Sequence, residues 1–148
     1  MEKDFEKILK LCENGTSNID HDQIRSKYFD YLELIPDLAN TKYMLAEKKE
    51  SDPYRLVFFT EENIIIAPFN GTCEVFPIKG RITNVSILEV KFTVQDRDRD
   101  RQVWSIRFSF RTDLGLDMIL EETEPGKKRS TYLVRILQEY ILPNLKKD

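Results

Sequence analysis

The sequence is poor in the residues from which most catalytic and metal centres are built. It contains one histidine, two cysteines and five glycines in 148 residues. The histidine, His21, stands beside Asp22 at the start of a predicted helix, where such side chains are more often exposed than catalytic. Cys12 and Cys73 lie far apart without a CxxC partner, and the scattered glycines form no phosphate-binding loop. We therefore expect no catalytic residues, no metal site and no cofactor.

Long hydrophobic runs and a strong net charge are also lacking. No apolar run approaches the roughly 20 residues that a helix needs to cross a bilayer, and the first residues carry charges where a signal peptide would be apolar. The formal net charge of −3 gives no reason to expect nucleic acid as a partner. Hydrophobic residues make up 41% and charged residues 33%, as in ordinary globular proteins. These features predict a cytoplasmic protein with a buried core and no transmembrane segment.

Two helices are predicted in residues 1–40. The apolar residues of the first recur at helical intervals, at Phe5, Ile8, Leu9 and Cys12. Asp20 and Gln23 form a capping box that begins the second helix, and Pro36 ends it. The apolar stripe of this second helix consists of Ile24, Tyr28, Tyr31, Leu32 and Ile35. We interpret residues 1–40 as an N-terminal helical extension packed on the core.

From residue 41 onwards the apolar period changes to two, which is typical of strands. Turn signals divide the region into seven predicted strands, at residues 42–48, 54–60, 63–69, 72–78, 82–94, 102–111 and 116–121. Asn70-Gly71 predicts a hairpin, since both residues tolerate the positive φ of a type I′ turn. Glu61-Glu62 marks a second tight turn. Such short connections indicate an antiparallel arrangement rather than a βαβ sheet.

The fifth and sixth predicted strands carry the clearest face patterns. In the sixth, Trp104, Ile106, Phe108 and Phe110 alternate with Ser105, Arg107, Ser109 and Arg111, which predicts one buried face and one wet face. The fifth changes phase, because Leu88, Val90, Phe92 and Val94 alternate cleanly while Val85 and Ile87 fall on the opposite face. A bulge or a corner near Ser86 is expected to explain the change.

A final helix is predicted near the C-terminal end of the sequence, capped by Ser130 or Thr131 and stopped by Pro143. Its core stripe consists of Leu133, Ile136, Leu137, Tyr140 and Ile141. Val134 and Leu142 widen the apolar face beyond what one sheet normally covers. The surplus is expected either to be buried by the N-terminal helices or to form a partner surface.

Seven antiparallel strands followed by one amphipathic helix resemble a pleckstrin-homology-like (PH-like) domain. Residues 55–60, a short turn and residues 63–66 are similar to a strand-Thr-turn-strand hairpin of small bacterial PH-like domains. Phe76-Pro77-Ile78, followed by Ile82 and Val85, is similar to a Pro-apolar step and an Ile-x-x-Val strand in the same family. The resemblance covers about residues 41–142 and implies a PH-like domain at residues 41–148. Its α+β fold would be a seven-stranded antiparallel sandwich or partial barrel capped by the C-terminal helix. Glu61-Glu62 departs from the basic turn that many relatives carry.

The resemblance favours a non-enzymatic adaptor that binds a protein or peptide, beside an exposed strand or near the C-terminal helix. The partner-binding candidates at that helix are Tyr132, Val134 and Tyr140, with both aromatic side chains expected to be exposed. The alternative is peripheral binding of anionic phospholipid headgroups through basic residues. The anion-binding candidates are Lys79, Arg81, Arg101, Arg107, Arg111, Lys127, Lys128 and Arg129. A third hypothesis is a homodimer formed through the last helix or a free strand edge.

Overall fold

The computed structural model describes residues 6, 21–49, 52–92, 103–122 and 128–147. The chain forms two compact units, Met1–Pro77 and Ile78–Asp148. Apart from residue 6, the first predicted helix lies outside the described residues, as do Asp20, Cys12 and Arg101.

The described chain has the α+β composition expected from the sequence, with helices at both ends of a run of seven strands. Helix α1 spans His21–Leu32, and a 3₁₀ turn follows at Pro36–Asn40. The strands are β1 Thr41–Lys49, β2 Asp52–Thr60, β3 Asn63–Pro68, β4 Glu74–Pro77, β5 Ile82–Phe92, β6 Val103–Thr112 and β7 Asp117–Glu122. Helix α2 spans Lys128–Ile136 and continues into a π turn, Leu137–Ile141, and a 3₁₀ turn, Leu142–Asn144.

The first unit contains a four-stranded antiparallel sheet in the order β1-β2-β3-β4. Alternating residues of its central strand β2 are buried on both sides of the sheet, Leu56 and Phe58 on one face and Val57 and Phe59 on the other. The register places Ile65 opposite Phe58, so apolar side chains meet across the strands. This sheet is therefore a core layer with two buried faces.

Helix α1 packs against one face of this sheet through Tyr28. The Tyr28 and Phe58 ring centroids are 6.1 Å apart, and the Tyr28 hydroxyl donates a hydrogen bond to the Leu38 carbonyl at 3.4 Å. Ile24 lies one helical turn before Tyr28, and both side chains are buried. The predicted apolar stripe of the second helix is thus confirmed at these two positions.

A buried polar cluster ties the 3₁₀ turn to the β2–β3 hairpin. The carboxylate of Asp37 accepts hydrogen bonds from the Thr60 hydroxyl and from Asn63 Nδ2, the latter at 2.8 Å. The Asn63 backbone N–H donates to Thr60 Oγ1 at 3.0 Å, which closes the turn at Glu61-Glu62. Thr60 is fully buried, so these bonds satisfy a hydroxyl that has no access to water.

The β3–β4 hairpin forms as predicted, but its connection is wider than a two-residue turn. The last paired residues are Ile66 and Glu74, and Gly71 has a φ of +132°. Such a backbone angle favours glycine, because a Cβ atom would strain it. The Asn70-Gly71 signal therefore predicted the hairpin correctly and the turn type wrongly.

The second unit contains a three-stranded antiparallel sheet in the order β5-β6-β7. On its apolar face, Phe108 and Phe110 of β6 lie opposite Leu120 and Met118 of β7, and all four side chains are buried. On its polar face, Arg107 and Arg111 are exposed, as predicted, whereas Ser105 is buried. The side chain of Trp104 lies outside the described part of the chain.

The bulge predicted near Ser86 in β5 is present, at Leu88. Ser86 is in register with Ser109, and the register shifts fall between Ile82 and Asn84, between Ile87 and Glu89, and between Lys91 and Phe92. The extra residue at Leu88 brings Ile87 and Val90 to the same face, opposite Phe108 and Ile106 of β6. The assignment of Ile87 and Val90 to opposite faces was therefore wrong.

Helix α2 packs mainly against β6 and β7. It begins at Lys128, so Ser130 lies inside the first turn, fully buried, and the predicted cap at Ser130 or Thr131 is wrong. After the helical turns, the Lys146 N–H donates to the Ile82 carbonyl at 2.7 Å, and Leu145 forms a parallel bridge with Ile82. Among the described helices, none is long and apolar enough to span a membrane.

Candidate protein-interaction surface

Strand β5 carries most of the large exposed apolar side chains of the second unit. The exposed fractions are 59% for Ile87, 48% for Leu88, 37% for Val90 and 45% for Phe92. We call these four residues the β5 strip. Isolated exposed apolar side chains are ordinary on protein surfaces, whereas several on one strand make a candidate interaction surface.

The position of α2 explains why the apolar face of the three-stranded sheet is buried at β6 and exposed at β5. Phe108 is fully buried, whereas Ile87, its direct neighbour across the β5–β6 ladder, is the most exposed residue of the strip. The main contacts of α2 are with β6 and β7. The β5 side of this face therefore receives less cover than the other two strands.

Within the described residues, most of β5 has no second strand along its outer edge. Within the described residues the ladder joins β5 to β6 alone, apart from the bridge between Ile82 and Leu145. Backbone N–H and C=O groups along an open edge can pair with a further strand. By contrast, the edge strand β4 of the other sheet has four residues and ends at Pro77, and proline cannot donate to a ladder.

The polar face of the three-stranded sheet is lined by charges that pair with each other. Arg107 Nε lies 3.4 Å from Glu121 Oε2, and Arg111 Nη2 lies 3.3 Å from Asp117 Oδ2. Glu89 occupies the position across from Arg107 on β5. Because each arginine already faces a carboxylate, this row has little excess positive charge with which to attract an anion.

The remaining anion-binding candidates do not form a described cluster with this row. Arg81 pairs with Asp113 at 3.5 Å, and Lys79 is exposed in the turn before β5. Arg101 and Lys127 lie outside the described residues, as do the side chains of Lys128 and Arg129. The described part of the chain therefore brings only Arg107 and Arg111 together, on one face of β6.

The expectation that Tyr132 and Tyr140 are exposed is wrong. Their side chains are 2% and 3% exposed, and Val134 is half-buried. The reason is helical spacing, since Tyr132, Ile136 and Tyr140 recur every four residues and share the buried face. The π turn at Leu137–Ile141 keeps Tyr140 and Ile141 buried together. Of the two residues predicted to widen the apolar face of this helix, Val134 is half-buried and Leu142 is 41% exposed.

The Cys73 thiol and the Tyr31 hydroxyl both have raised pKa values. Cys73 is half-buried, and burial followed by the charge of Glu74 raises the pKa of its thiol. A raised pKa leaves less thiolate at neutral pH, and the thiolate is the reactive form. Burial also raises the pKa of Tyr31, with smaller contributions from Cys73 and Asp30. The side chain of His21 lies outside the described part.

The β5 strip was not identified from sequence, although a signal for it was present. The fifth predicted strand carried apolar residues in both phases of the alternation, and a strand with one buried face needs them in only one. The bulge at Leu88 accounts for part of this excess. The exposure of the strip accounts for the rest.

Comparisons of the chain with protein-family models, with curated proteins and with solved structures find no match.

Proposed function

We propose that this chain is a non-enzymatic PH-like binding module that accepts a strand of a protein partner along β5. The observation that carries the proposal is the combination of an open strand edge with the exposed apolar side chains of the β5 strip. Backbone hydrogen bonds along such an edge supply affinity, and contacts to alternate side chains supply specificity.

The architecture is consistent with this proposal. Four antiparallel strands, three antiparallel strands and a terminal helix occur in the order that a PH-like domain would have. Pairing beside an exposed strand is one of the two partner-binding modes implied by the resemblance. The other mode, at the C-terminal helix, has less support because Tyr132 and Tyr140 are buried.

Two features of β5 fit a specific partner better than unspecific aggregation. The strand is interrupted by a bulge at Leu88, and charged side chains flank Val90 at Glu89 and Lys91. Bulges and charges on an edge strand disfavour pairing with arbitrary strands. A partner must therefore match both the bend and the charges.

Anionic lipid binding remains the alternative, with less support from the described residues. Arg81, Arg107 and Arg111 each face a carboxylate, and the charge pairs at the surface are screened further by salt. Headgroup binding would have to break these pairs or use basic residues outside the described part.

The test is affinity capture from host lysate with two matched variants, at low and high salt, read by mass spectrometry. Ile87→Lys places a charge in the β5 strip, and Ile119→Lys places the same charge on β7 of the same sheet, where the isoleucine is 49% exposed. We expect one dominant protein partner, retained at high salt, that is lost with Ile87→Lys and kept with Ile119→Lys. Equal capture by both variants would exclude β5 as the docking strand, and anionic lipid captured only at low salt would favour the alternative.

A further inference from the structure

We propose that the strand taken up by β5 is the β5 of a second copy of this chain, paired antiparallel about Val90. This inference rests on the proposed use of β5 as a docking strand and names its partner. The argument comes from the charge pattern around Val90, which is complementary to itself when the strand is reversed.

A two-fold axis at Val90 places Val90 opposite Val90 of the second copy. In an antiparallel pair, residues at equal distances on either side of the axis then lie opposite each other. Glu89 faces Lys91 of the second copy, and Lys91 faces Glu89 of the second copy. One step further out, Leu88 faces Phe92, two side chains that are each about half exposed in the single chain.

Neighbouring registers are less favourable. An axis at Glu89 brings the two copies of Glu89 together, and an axis at Lys91 brings the two copies of Lys91 together. Like charges directly opposite in a sheet are destabilising. An axis at Leu88 avoids this repulsion but leaves Glu89 facing Ile87 and Lys91 facing Val85. Of these registers, only the one centred on Val90 matches both charges.

The same register extends a charge row that already crosses the three-stranded sheet. Glu121 on β7 pairs with Arg107 on β6, and Arg107 lies across from Glu89 on β5. The charges along this row are negative at Glu121, positive at Arg107 and negative at Glu89, and the row ends at the edge strand β5. Lys91 of the second copy would add the next positive charge. Within one chain, Lys91 Nζ lies 3.3 Å from Glu89 Oε1 on the same strand. The Lys91 side chain is therefore on the same face of the sheet as this charge row.

The test is a charge reversal with a built-in rescue. Glu89→Lys and Lys91→Glu each convert two attractive pairs across the axis into two repulsive ones, whereas the double variant exchanges the signs and restores attraction. Sedimentation equilibrium at low salt should show a dimer for the unaltered chain and the double variant, and association weakened roughly tenfold or more for each single variant. Circular dichroism checks that every variant is folded.

Mixing the two single variants separates an interface effect from a folding defect. The two chains carry opposite charges at the paired positions, so they should associate with each other more tightly than either does with itself. A folding defect would not be rescued by mixing. A monomer at all concentrations, or a dimer indifferent to both reversals, would overturn the inference. If the unaltered chain is monomeric while Ile87→Lys still loses a captured protein, the docking strand stands and only the second copy as its partner is excluded.

Discussion

The two sheets of this protein differ in how far their apolar residues are buried. The four-stranded sheet buries both faces, and its central residues from Leu56 to Thr60 are fully buried. The three-stranded sheet buries β6 and β7 on one face and leaves the β5 strip exposed. An apolar side chain that folding does not bury remains available for burial by a partner. We infer that the first sheet supplies stability and the second supplies recognition.

The polar groups of the two units also differ in how far they are buried. In the first unit, the carboxylate of Asp37 binds the fully buried Thr60 hydroxyl and the Asn63 amide. In the second unit, the described charge pairs lie at the surface, as in Arg111 with Asp117, whose side chains are 65% and 59% exposed. Buried hydrogen bonds fix a structure, whereas exposed pairs contribute little to stability and are screened by salt.

The largest expected difference between the sheets comes from the same truncation made in each. Ile64→Ala removes a fully buried side chain from β3 and should lower the free energy of unfolding by about 2–5 kcal/mol. Ile87→Ala removes a mostly exposed side chain from β5 and should change it by less than about 1 kcal/mol. Urea unfolding of the isolated chain measures both. Equal losses would contradict the division between the two sheets.

A smaller difference in lost stability is expected when one aspartate in each unit is replaced by alanine. Asp37→Ala removes one acceptor of the buried Thr60 hydroxyl, which also donates to the Asn63 carbonyl, and should cost about 1–2 kcal/mol. Asp117→Ala removes an exposed partner of Arg111 and should cost no more than about 1 kcal/mol. Thermal unfolding at low and high salt compares them. Only the small effect of Asp117→Ala should decrease with salt, because its pair is open to solvent.

Reactivity of the Cys73 thiol should be low. Because burial raises its pKa, a smaller fraction is thiolate at neutral pH than for an unstructured cysteine, and alkylation should be slower. The rate should rise with pH until the raised pKa is passed. Iodoacetamide labelling of a Cys12→Ser variant, compared with the same protein in urea, measures the difference. Faster labelling of the folded protein would contradict the assigned environment.

The smallest expected effect concerns lipid. Because Arg107 and Arg111 face carboxylates, replacing both with glutamine should leave sedimentation with anionic vesicles unchanged at physiological salt. Vesicle binding should also be measured for the triple variant Lys127→Glu, Lys128→Glu and Arg129→Glu, because these basic side chains lie outside the described part of the chain. Strong vesicle binding that the triple variant abolishes would instead support the headgroup alternative.

The sequence predicted the strands well because alternation depends on local residues alone. All seven predicted strands are present with small differences at their ends. The sequence placed the bulge near Ser86 rather than at Leu88 itself, because several positions in β5 could absorb the extra residue without changing the composition of either face. Tyr132 and Tyr140 were placed on the surface because aromatic residues with a hydroxyl group suit both core and interface. Helical spacing had already placed Tyr140 in the predicted core stripe, and spacing from Ile136 assigns Tyr132 to the same face.

The exposure of β5 could not be predicted from alternation. A period of two shows which side chains share a face of a strand, but not which other element covers that face. Coverage of Ile87 depends on where α2 packs, and its preference for β6 and β7 is a tertiary property. The same limit applies to the charge row, since the pairing of Arg107 with Glu121 and its position across from Glu89 require the register of three strands.

Cross-linking at Val90 tests most directly the claim that β5 pairs with itself. In a chain carrying Cys12→Ser and Cys73→Ser, Val90→Cys would place two thiols opposite each other on the two-fold axis, at a Cα separation of about 4.5–5.5 Å that a disulfide can span. Leu114→Cys is the control, since Leu114 is 49% exposed in the β6–β7 turn. We predict rapid formation of a covalent dimer under mild oxidation with Val90→Cys and little with Leu114→Cys. Equal rates for the two variants would contradict the pairing.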